Sequence, residues 1–265
     1  FNDMYMFPNV VAAAARECGI RACVGLIAFD FPTGYARTMD EYLEKGLQLH
    51  DQLRADPLVR TAFAPHAPYT VSAPALECIG RLAAELNLPV HIHVHETAVE
   101  VARFQSEHGC RPLRRLEQLG LLSPRLLAVH MTQLETAEIE RLAQAGAHVA
   151  HCPESNLKLA SGFCPAARLN AAGVNLAIGT DGAASNNDLD LFSELRTAAL
   201  LGKGVAGDAT VLPPPKCCAW PPSTAPARSV WPRKPVRWNP AKPPISWPCI
   251  SASRKPSRST TRSRN

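Results

Sequence analysis

The stretch PVHIHVHE, residues 89–96, places three histidines at alternate positions in an otherwise apolar run. Because successive side chains of a strand point to opposite faces, His91, His93 and His95 should share one face. Three imidazoles in a packed interior are costly unless they are hydrogen-bonded or bound to a metal. For His91 and His95 a satisfied core position and a ligand role remain equally open. His93 and Glu96, at the strand end, are the stronger functional candidates. Together they suit one metal ligand, the histidine, and one general acid or base, the glutamate.

The surrounding sequence alternates between short apolar runs and segments with helical spacing of Leu, Ile and Ala. Strand-like runs occupy residues 21–30, 60–67, 89–96, 126–131, 147–153 and 174–181. Helical patterns occupy residues 72–87, 134–146 and 164–173, among other connections. Strands that alternate with helices predict a parallel sheet, which is either open and doubly wound or closed into a (β/α)8 barrel.

The polar residues at the strand ends favour the barrel. They are His66, His93, Glu96, His130, His151 and Asp181. In a closed barrel the carboxyl ends of all strands meet at one mouth, whereas an open sheet spreads them along an edge. With a strand end at FNDMY (residues 1–5), the chain holds about seven strands where a barrel needs eight. The sequence therefore predicts an incomplete (β/α)8 barrel whose chain begins inside its domain.

Other candidate residues have both structural and functional interpretations. His130 ends LLAVH and could bond a backbone carbonyl, but its place at the mouth favours catalysis. His151 precedes Pro and Ser, which predict a loop that it braces, and His148 is a weaker candidate. Asp181 is followed by Gly, as in an ordinary turn, yet after a buried strand and near several histidines metal ligation is favoured. His and Asp together suit Zn²⁺ with an open position for water.

Six segments of the chain resemble the amidohydrolase superfamily, specifically the 5-methylthioadenosine/S-adenosylhomocysteine deaminases and the related triazine chlorohydrolases. The matching strings are DMYMFP, FAPHAPYTVS, HVHETAVEV, AVHMTQL, HCPESNLKLASGFCP and AIGTDGAASNNDLDLFSELRTAALLGK. The resemblance runs over residues 1–213. It implies a barrel with one divalent metal, commonly zinc, held by a His-x-His after strand 1, a His after strand 5 and an Asp after strand 8.

Carried over by position, the resemblance assigns a role to six residues. It implies that His93 and Asp181 are metal ligands, that Glu96 is the acid/base and contacts substrate, and that His130 lies beside the attacking water. Asp181 is also implied to be catalytic. His66 matches a substrate-contacting histidine, and Arg37, by a looser alignment, matches a substrate-binding arginine.

The chain departs from the family pattern before residue 91, where no His-x-His occurs. Strand 1 and its two ligands are therefore expected to be missing, together with a small β-sandwich and the substrate loop after strand 1. A metal left with His93 and Asp181 should bind weakly. We expect this segment alone to be inactive and poorly folded, because an absent strand exposes two unpaired edges.

The last 52 residues have a different composition from the rest. Residues 214–265 contain 11 Lys and Arg without any Asp or Glu, all four Trp and 12 of the 24 Pro, whereas residues 1–213 carry 17 basic and 23 acidic residues. A basic, disordered arm that binds nucleic acid is one interpretation. A one-base shift in permitted codons instead turns PPKCCAWP into AAEVLRMA, and ARSVWPRKPVRWNPAKPPISW into RALGLAEETGSLEPGKAADLV, which resembles the family's C-terminal region. We therefore expect a disordered tail translated out of frame.

The resemblance implies hydrolytic deamination of an adenine nucleoside thioether, with one divalent metal, most simply zinc. Dechlorination or deamination of a triazine, or deamination of another nucleobase, is the alternative within the same barrel. Nucleic-acid binding through the tail is the alternative from another class. Neither a membrane span nor a signal peptide is predicted, and the nine cysteines form no paired framework. We expect a cytoplasmic enzyme without nucleic-acid or membrane partners, and a homo-oligomer is compatible with this.

Overall fold

The computed structural model describes residues 1–212. The interpretations of the tail, residues 214–265, lie outside the described residues. Seven parallel strands form one sheet. They are β1 (Asn2–Asp3), β2 (Ala22–Ala28), β3 (Val59–Pro65), β4 (Val90–Val94), β5 (Leu126–His130), β6 (His148–His151) and β7 (Asn175–Ile178). Each predicted strand, including the strand end in FNDMY, is present within a few residues of its expected bounds.

Helices connect the strands in the alternating pattern expected from the sequence. They are α1 (Pro8–Glu17), α2 (Met39–Leu53), α3 (Ala73–Glu85), α4 (Ala98–His108), α5 (Pro112–Gln118), α6 (Thr136–Ala145), α7 (Pro153–Lys158), α8 (Ala166–Ala171) and α9 (Leu191–Ala206). The predicted loop after His151 is wrong, because α7 begins there. Pro153 occupies its first turn, where the missing N–H costs no intrahelical hydrogen bond.

The order of the strands decides between the two predicted architectures. In the sheet the strands follow one another in sequence order, from β1 to β7, and every pairing is parallel. A doubly wound sheet would reverse its order at a switch point. The prediction of an incomplete (β/α)8 barrel is confirmed, with seven strands in the part of the chain that the structure describes.

Alternation along the strands separates two apolar faces. In β5, Leu126 and Ala128 belong to the main core, which packs the sheet against the helices, while Leu127 and Val129 belong to a small cluster on the opposite face. The same alternation in β4 sends Ile92 and Val94 into the main core. His91 and His93 therefore lie on the inner face of the curved sheet.

Close packing at the β1 edge depends on Gly25. A Cβ atom at this position would lie 2.7 Å from the Ala64 Cβ and 2.8 Å from the Asp3 carbonyl oxygen. Glycine thus allows β1 to approach β2. Among residues 1–212, no helix has the length and apolar character that crossing a membrane requires.

Candidate active site

His93 lies on the inner face near the end of β4, between two other imidazoles. Its ring centroid is 5.0 Å from that of His66 and 5.3 Å from that of His130, on which it stacks. Its Nδ1 is 2.8 Å from the His66 carbonyl oxygen. A carbonyl only accepts hydrogen bonds, so Nδ1 carries the proton and Nε2 keeps a free lone pair. Burial and the neighbouring His130 lower the pKa of His93, which favours the neutral ring.

Glu96 follows β4 and faces His130. The Glu96 Oε2 atom lies 3.7 Å from the His130 Nε2 atom, and the Glu96 side chain keeps 22% of its surface exposed. Burial raises the pKa of Glu96, with His93 opposing the shift. A carboxyl group of raised pKa that still reaches solvent is suited to accepting and returning a proton.

His130 ends β5 and is almost completely buried, at 1% exposure. Its Nδ1 is 2.8 Å from the Asn156 Oδ1 atom, and burial lowers its pKa. The backbone at His130 has φ of +73°, in the left-handed region that non-glycine residues rarely adopt. His95, Met131 and Asp181 share this conformation. Backbone strain therefore concentrates at the carboxyl ends of three strands, as is typical of functional sites.

Asp181 follows β7 and is held by two donors. The Ser155 hydroxyl donates to Oδ2 at 2.7 Å, and the Gly182 amide donates to Oδ1 at the same distance. Burial alone would raise the pKa of Asp181, but the Ser155 hydroxyl and the nearby His130 outweigh it and hold the pKa below its ordinary value. The carboxylate is therefore ionised at neutral pH.

The two predicted substrate-binding residues lie on loops at the same end of the sheet. The His66 Nδ1 is 3.0 Å from the Thr70 hydroxyl, and burial, with His93 nearby, lowers the pKa of His66 to about 4. Its ring lies beside Phe29 at 4.9 Å between centroids. Arg37 is exposed just before α2, and its backbone amide donates to the Glu41 carboxylate. Its assignment to substrate binding stays a prediction.

The remaining histidines divide between the inner face and the helix layer. His91 shares the inner face with His93, at 6.4 Å between ring centroids, and its Nδ1 contacts the Asn2 amide. The prediction that His95 joins them is wrong. Its left-handed backbone turns it toward the helices, where Leu113 N donates to its Nε2 and Glu138 lies 3.7 Å from its Nδ1.

His148 and His151 stand at opposite ends of β6. The His148 Nε2 is 3.1 Å from the Pro124 carbonyl oxygen, at the end of the sheet away from the candidate site. This position supports a structural role. His151 is 1% exposed at the carboxyl end of its strand, and burial lowers its pKa to about 4.

Sequence reasoning missed Ser155 and Asn156, the residues of α7 that contact Asp181 and His130. Both are fully buried, at 0% and 1% exposure. Their signal in the sequence was their place immediately after a strand, behind Pro153 at the start of a helix. Because the sequence of this segment is interpreted as a loop, neither residue is predicted to lie at the site.

A buried carboxyl group on α9 accepts a hydrogen bond from the backbone of α7. Glu194 of α9 is 0% exposed, accepts from the Glu154 amide at 3.2 Å and from the Asn186 side chain at 2.6 Å. Burial raises the pKa of Glu194 to about 8 from its ordinary 4.5. Between these two values the unfolded chain releases a proton that the folded chain keeps. The free energy of unfolding should therefore fall as pH rises through this range, by up to about 1.4 kcal/mol per pH unit.

Glu194→Gln should remove this pH dependence. Relative to the unsubstituted chain, we expect the variant to gain on the order of a few kcal/mol in unfolding free energy between about pH 5 and pH 8. Urea denaturation of the full-length protein and its variants at several pH values measures the difference. Glu140→Gln, an exposed change on α6, is the control and should run parallel to the unsubstituted chain. A Glu194→Gln curve that also runs parallel would contradict a protonated, buried Glu194.

The donor types suit a divalent metal, but their number is small. His93 is neutral with a free Nε2, and Asp181 is ionised, which are the states that ligation requires. The His66 carbonyl orients His93, as outer-shell carbonyls commonly do for histidine ligands. No three His, Cys, Asp or Glu side chains of residues 1–212 are gathered closely enough to hold a metal ion. The described residues therefore fit part of a site and leave coordination positions for other donors.

The chain is similar to known proteins over most of its length. Residues 1–220 match the family model described as the amidohydrolase family. The chain is 53% identical over 212 residues to a 5-methylthioadenosine/S-adenosylhomocysteine deaminase of Teredinibacter turnerae, covering 80% of this chain and 48% of that protein. The chain spans about half the length of the curated relatives it matches.

Solved structures show the same fold. An adenosine deaminase from Xanthomonas campestris with bound zinc has a TM-score of 0.82 and 57% identity, covering 83% of this chain and 50% of the other. A triazine hydrolase variant has a TM-score of 0.75 and 25% identity, covering 80% of this chain and 49% of the other.

Proposed function

Since this chain belongs to the amidohydrolase family, we propose that the full-length protein containing it is a metal-dependent hydrolase that deaminates adenine nucleosides of the 5-methylthioadenosine/S-adenosylhomocysteine type. The observation that carries the proposal is the convergence of His93, Glu96, His130 and Asp181 at the carboxyl ends of β4, β5 and β7. The 53% identity to a deaminase of this name and the 57% identity to a zinc-containing adenosine deaminase support the same activity.

We assign metal binding to His93 and Asp181, and one zinc ion is the simplest occupant given their N and O donors. When bound, such an ion lowers the pKa of a coordinated water toward 7. Because no third ligand is gathered with them among residues 1–212, the described residues supply only part of the coordination. We propose that the remaining ligands come from other parts of the full-length protein.

Glu96 is the proposed proton carrier. It accepts a proton from the attacking water and delivers it to a ring nitrogen of the purine, while the water oxygen forms a bond to C6. His130, whose Nε2 atom lies 3.7 Å from the Glu96 Oε2 atom, orients the water. Asp181, as a carboxylate, accepts the remaining proton of the attacking oxygen and passes it to the departing amine. Cleavage of the C6–N bond then releases ammonia and leaves an inosine-type nucleoside.

His66 and Arg37 are proposed to bind the sugar or its substituent. His66 is part of an aromatic group with Phe29, Phe31 and Tyr69, whose ring contacts run from 4.8 to 6.3 Å between centroids. Phe31 and Tyr69 are about half exposed, at 45% and 51%. An apolar wall of this kind suits a thioether substituent better than a charged group.

The protein is further proposed to act in the cytoplasm on a diffusible small molecule, without a nucleic-acid or membrane partner. The six cysteines among residues 1–212 are all unpaired, which supports a reducing compartment. A homo-oligomer is compatible with the proposal.

Ammonia release by the full-length protein tests the function. We expect turnover of methylthioadenosine and S-adenosylhomocysteine, and little or none of guanine or a chlorotriazine. The purified chain of residues 1–265 should show no turnover with any of them, even with added zinc. Failure of the full-length protein on both nucleosides would reject the proposal, and turnover of the chlorotriazine alone would favour triazine hydrolysis, which the 25% identical neighbour represents.

A further inference from the structure

The first residues of α7 connect three elements around the site. The Glu154 amide donates to Glu194 on α9, the Ser155 hydroxyl donates to Asp181 after β7, and Asn156 contacts His130 at the end of β5. Three consecutive residues thus each bind a different element. The short helix thereby fixes the relative positions of Asp181 and His130.

The contact between Asn156 and His130 has a chemical consequence beyond position. Both side chains are 1% exposed, and the His130 Nδ1 atom lies 2.8 Å from the Asn156 Oδ1 atom. An amide oxygen can only accept a hydrogen bond, so the ring proton must reside on Nδ1. The neutral ring then presents an unprotonated Nε2, and this is the atom that lies 3.7 Å from Glu96.

The orientation of the Asn156 side-chain amide determines which ring nitrogen of His130 carries the proton. With Oδ1 toward His130, the ring is the Nδ1–H tautomer, and with Nδ2 toward it, the ring would be the Nε2–H tautomer. In the structure, Oδ1 faces the ring, and Nδ2 has no hydrogen-bond partner. The Asn156 backbone amide donates to the Cys152 carbonyl, which anchors the residue within α7.

We propose that Asn156 is a positioning residue that holds His130 in the Nδ1–H tautomer and so keeps its Nε2 free to accept a hydrogen bond from the attacking water. The catalytic meaning of this tautomer rests on the proposed function. With Nε2 as an acceptor, His130 aligns the water without competing with Glu96 as the group that carries the proton to the purine.

Nitrogen NMR of the full-length protein, labelled with ¹⁵N-histidine, tests the proposal directly. At mildly alkaline pH, His130 should show a protonated Nδ1 and an unprotonated Nε2, with its signals assigned by their loss in His130→Gln. Asn156→Asp keeps an acceptor at this position and should preserve the tautomer. Asn156→Leu removes the acceptor and should shift the His130 population toward Nε2–H.

A second asparagine–histidine pair provides the matched control. Asn175 Nδ2 lies 3.0 Å from the His148 Nδ1 at the far end of the sheet, so Asn175→Leu should change the signals of His148 and leave those of His130 unchanged. An Nε2–H tautomer of His130 in the unsubstituted chain would overturn the proposal, and so would an unchanged tautomer in folded Asn156→Leu. The NMR measurement does not depend on catalytic turnover. The tautomer of His130 can therefore be determined even if the full-length protein fails the deamination assay.

Discussion

Replacement of Glu96 with Gln is expected to lower kcat/KM of the full-length protein for methylthioadenosine by about 10²- to 10⁴-fold, the contribution that general acid–base catalysis makes. Glutamine keeps the size of the side chain and its polar contacts but cannot accept the proton from water. The raised pKa of Glu96, caused by burial, and its 3.7 Å approach to His130 are the observations behind this expectation. Steady-state ammonia release measures it.

The control for this variant is Glu140→Gln on α6. Glu140 is exposed on the helix layer, so its neutralisation should leave kcat/KM within about twofold, as expected of a surface substitution away from the site. Zinc content should stay unchanged in both variants, because Glu96 is not assigned as a ligand. An active Glu96→Gln enzyme would remove the proposed proton carrier from the mechanism.

Replacement of His93 with Gln is expected to reduce the zinc affinity of the full-length protein by at least about 100-fold, the upper end of the effect measured for outer-shell partners of ligands. The variant loses the free Nε2 that the His66 carbonyl orients through Nδ1. Deaminase activity should fall with the bound zinc. Metal content after equilibration with a competing chelator, together with ammonia release, measures both effects.

His148→Gln makes the same chemical change at the other end of the sheet. Because His148 bonds the Pro124 carbonyl rather than a site residue, this variant should retain zinc and activity. If His93→Gln bound zinc as tightly as the unsubstituted enzyme, His93 would not be a ligand. Equal zinc loss in both variants would indicate a general loss of structure.

The sheet could be predicted from the sequence because its strands are short apolar runs with polar residues at one end. In β5 the short apolar run LLAVH ends on His130, and a helical crossover between consecutive strands lets each strand pair in parallel with the next. The same feature brought His93, Glu96, His130 and Asp181 to one end of the sheet. Their roles as ligands and catalysts stay predictions.

Two local features could not be predicted from alternation alone. The period-two pattern in β4 ends at Val94, and the positive φ at His95 turns that side chain toward Glu138 in the helix layer. This dihedral angle has no signal in a histidine-rich run. In α7, six residues are too few for a helical period to be read, so the contacts of Ser155 and Asn156 depend on tertiary packing that the sequence does not display.

The neighbour-to-neighbour order of the strands bears on how the chain reaches its native state. Every pairing in the described sheet joins strands adjacent in sequence, so each one closes only the loop of its own crossover. No strand of the described sheet requires a pairing partner that is synthesised much later. The sheet can therefore assemble in the order in which its strands leave the ribosome, each newly emerged strand docking on an edge that is already in place.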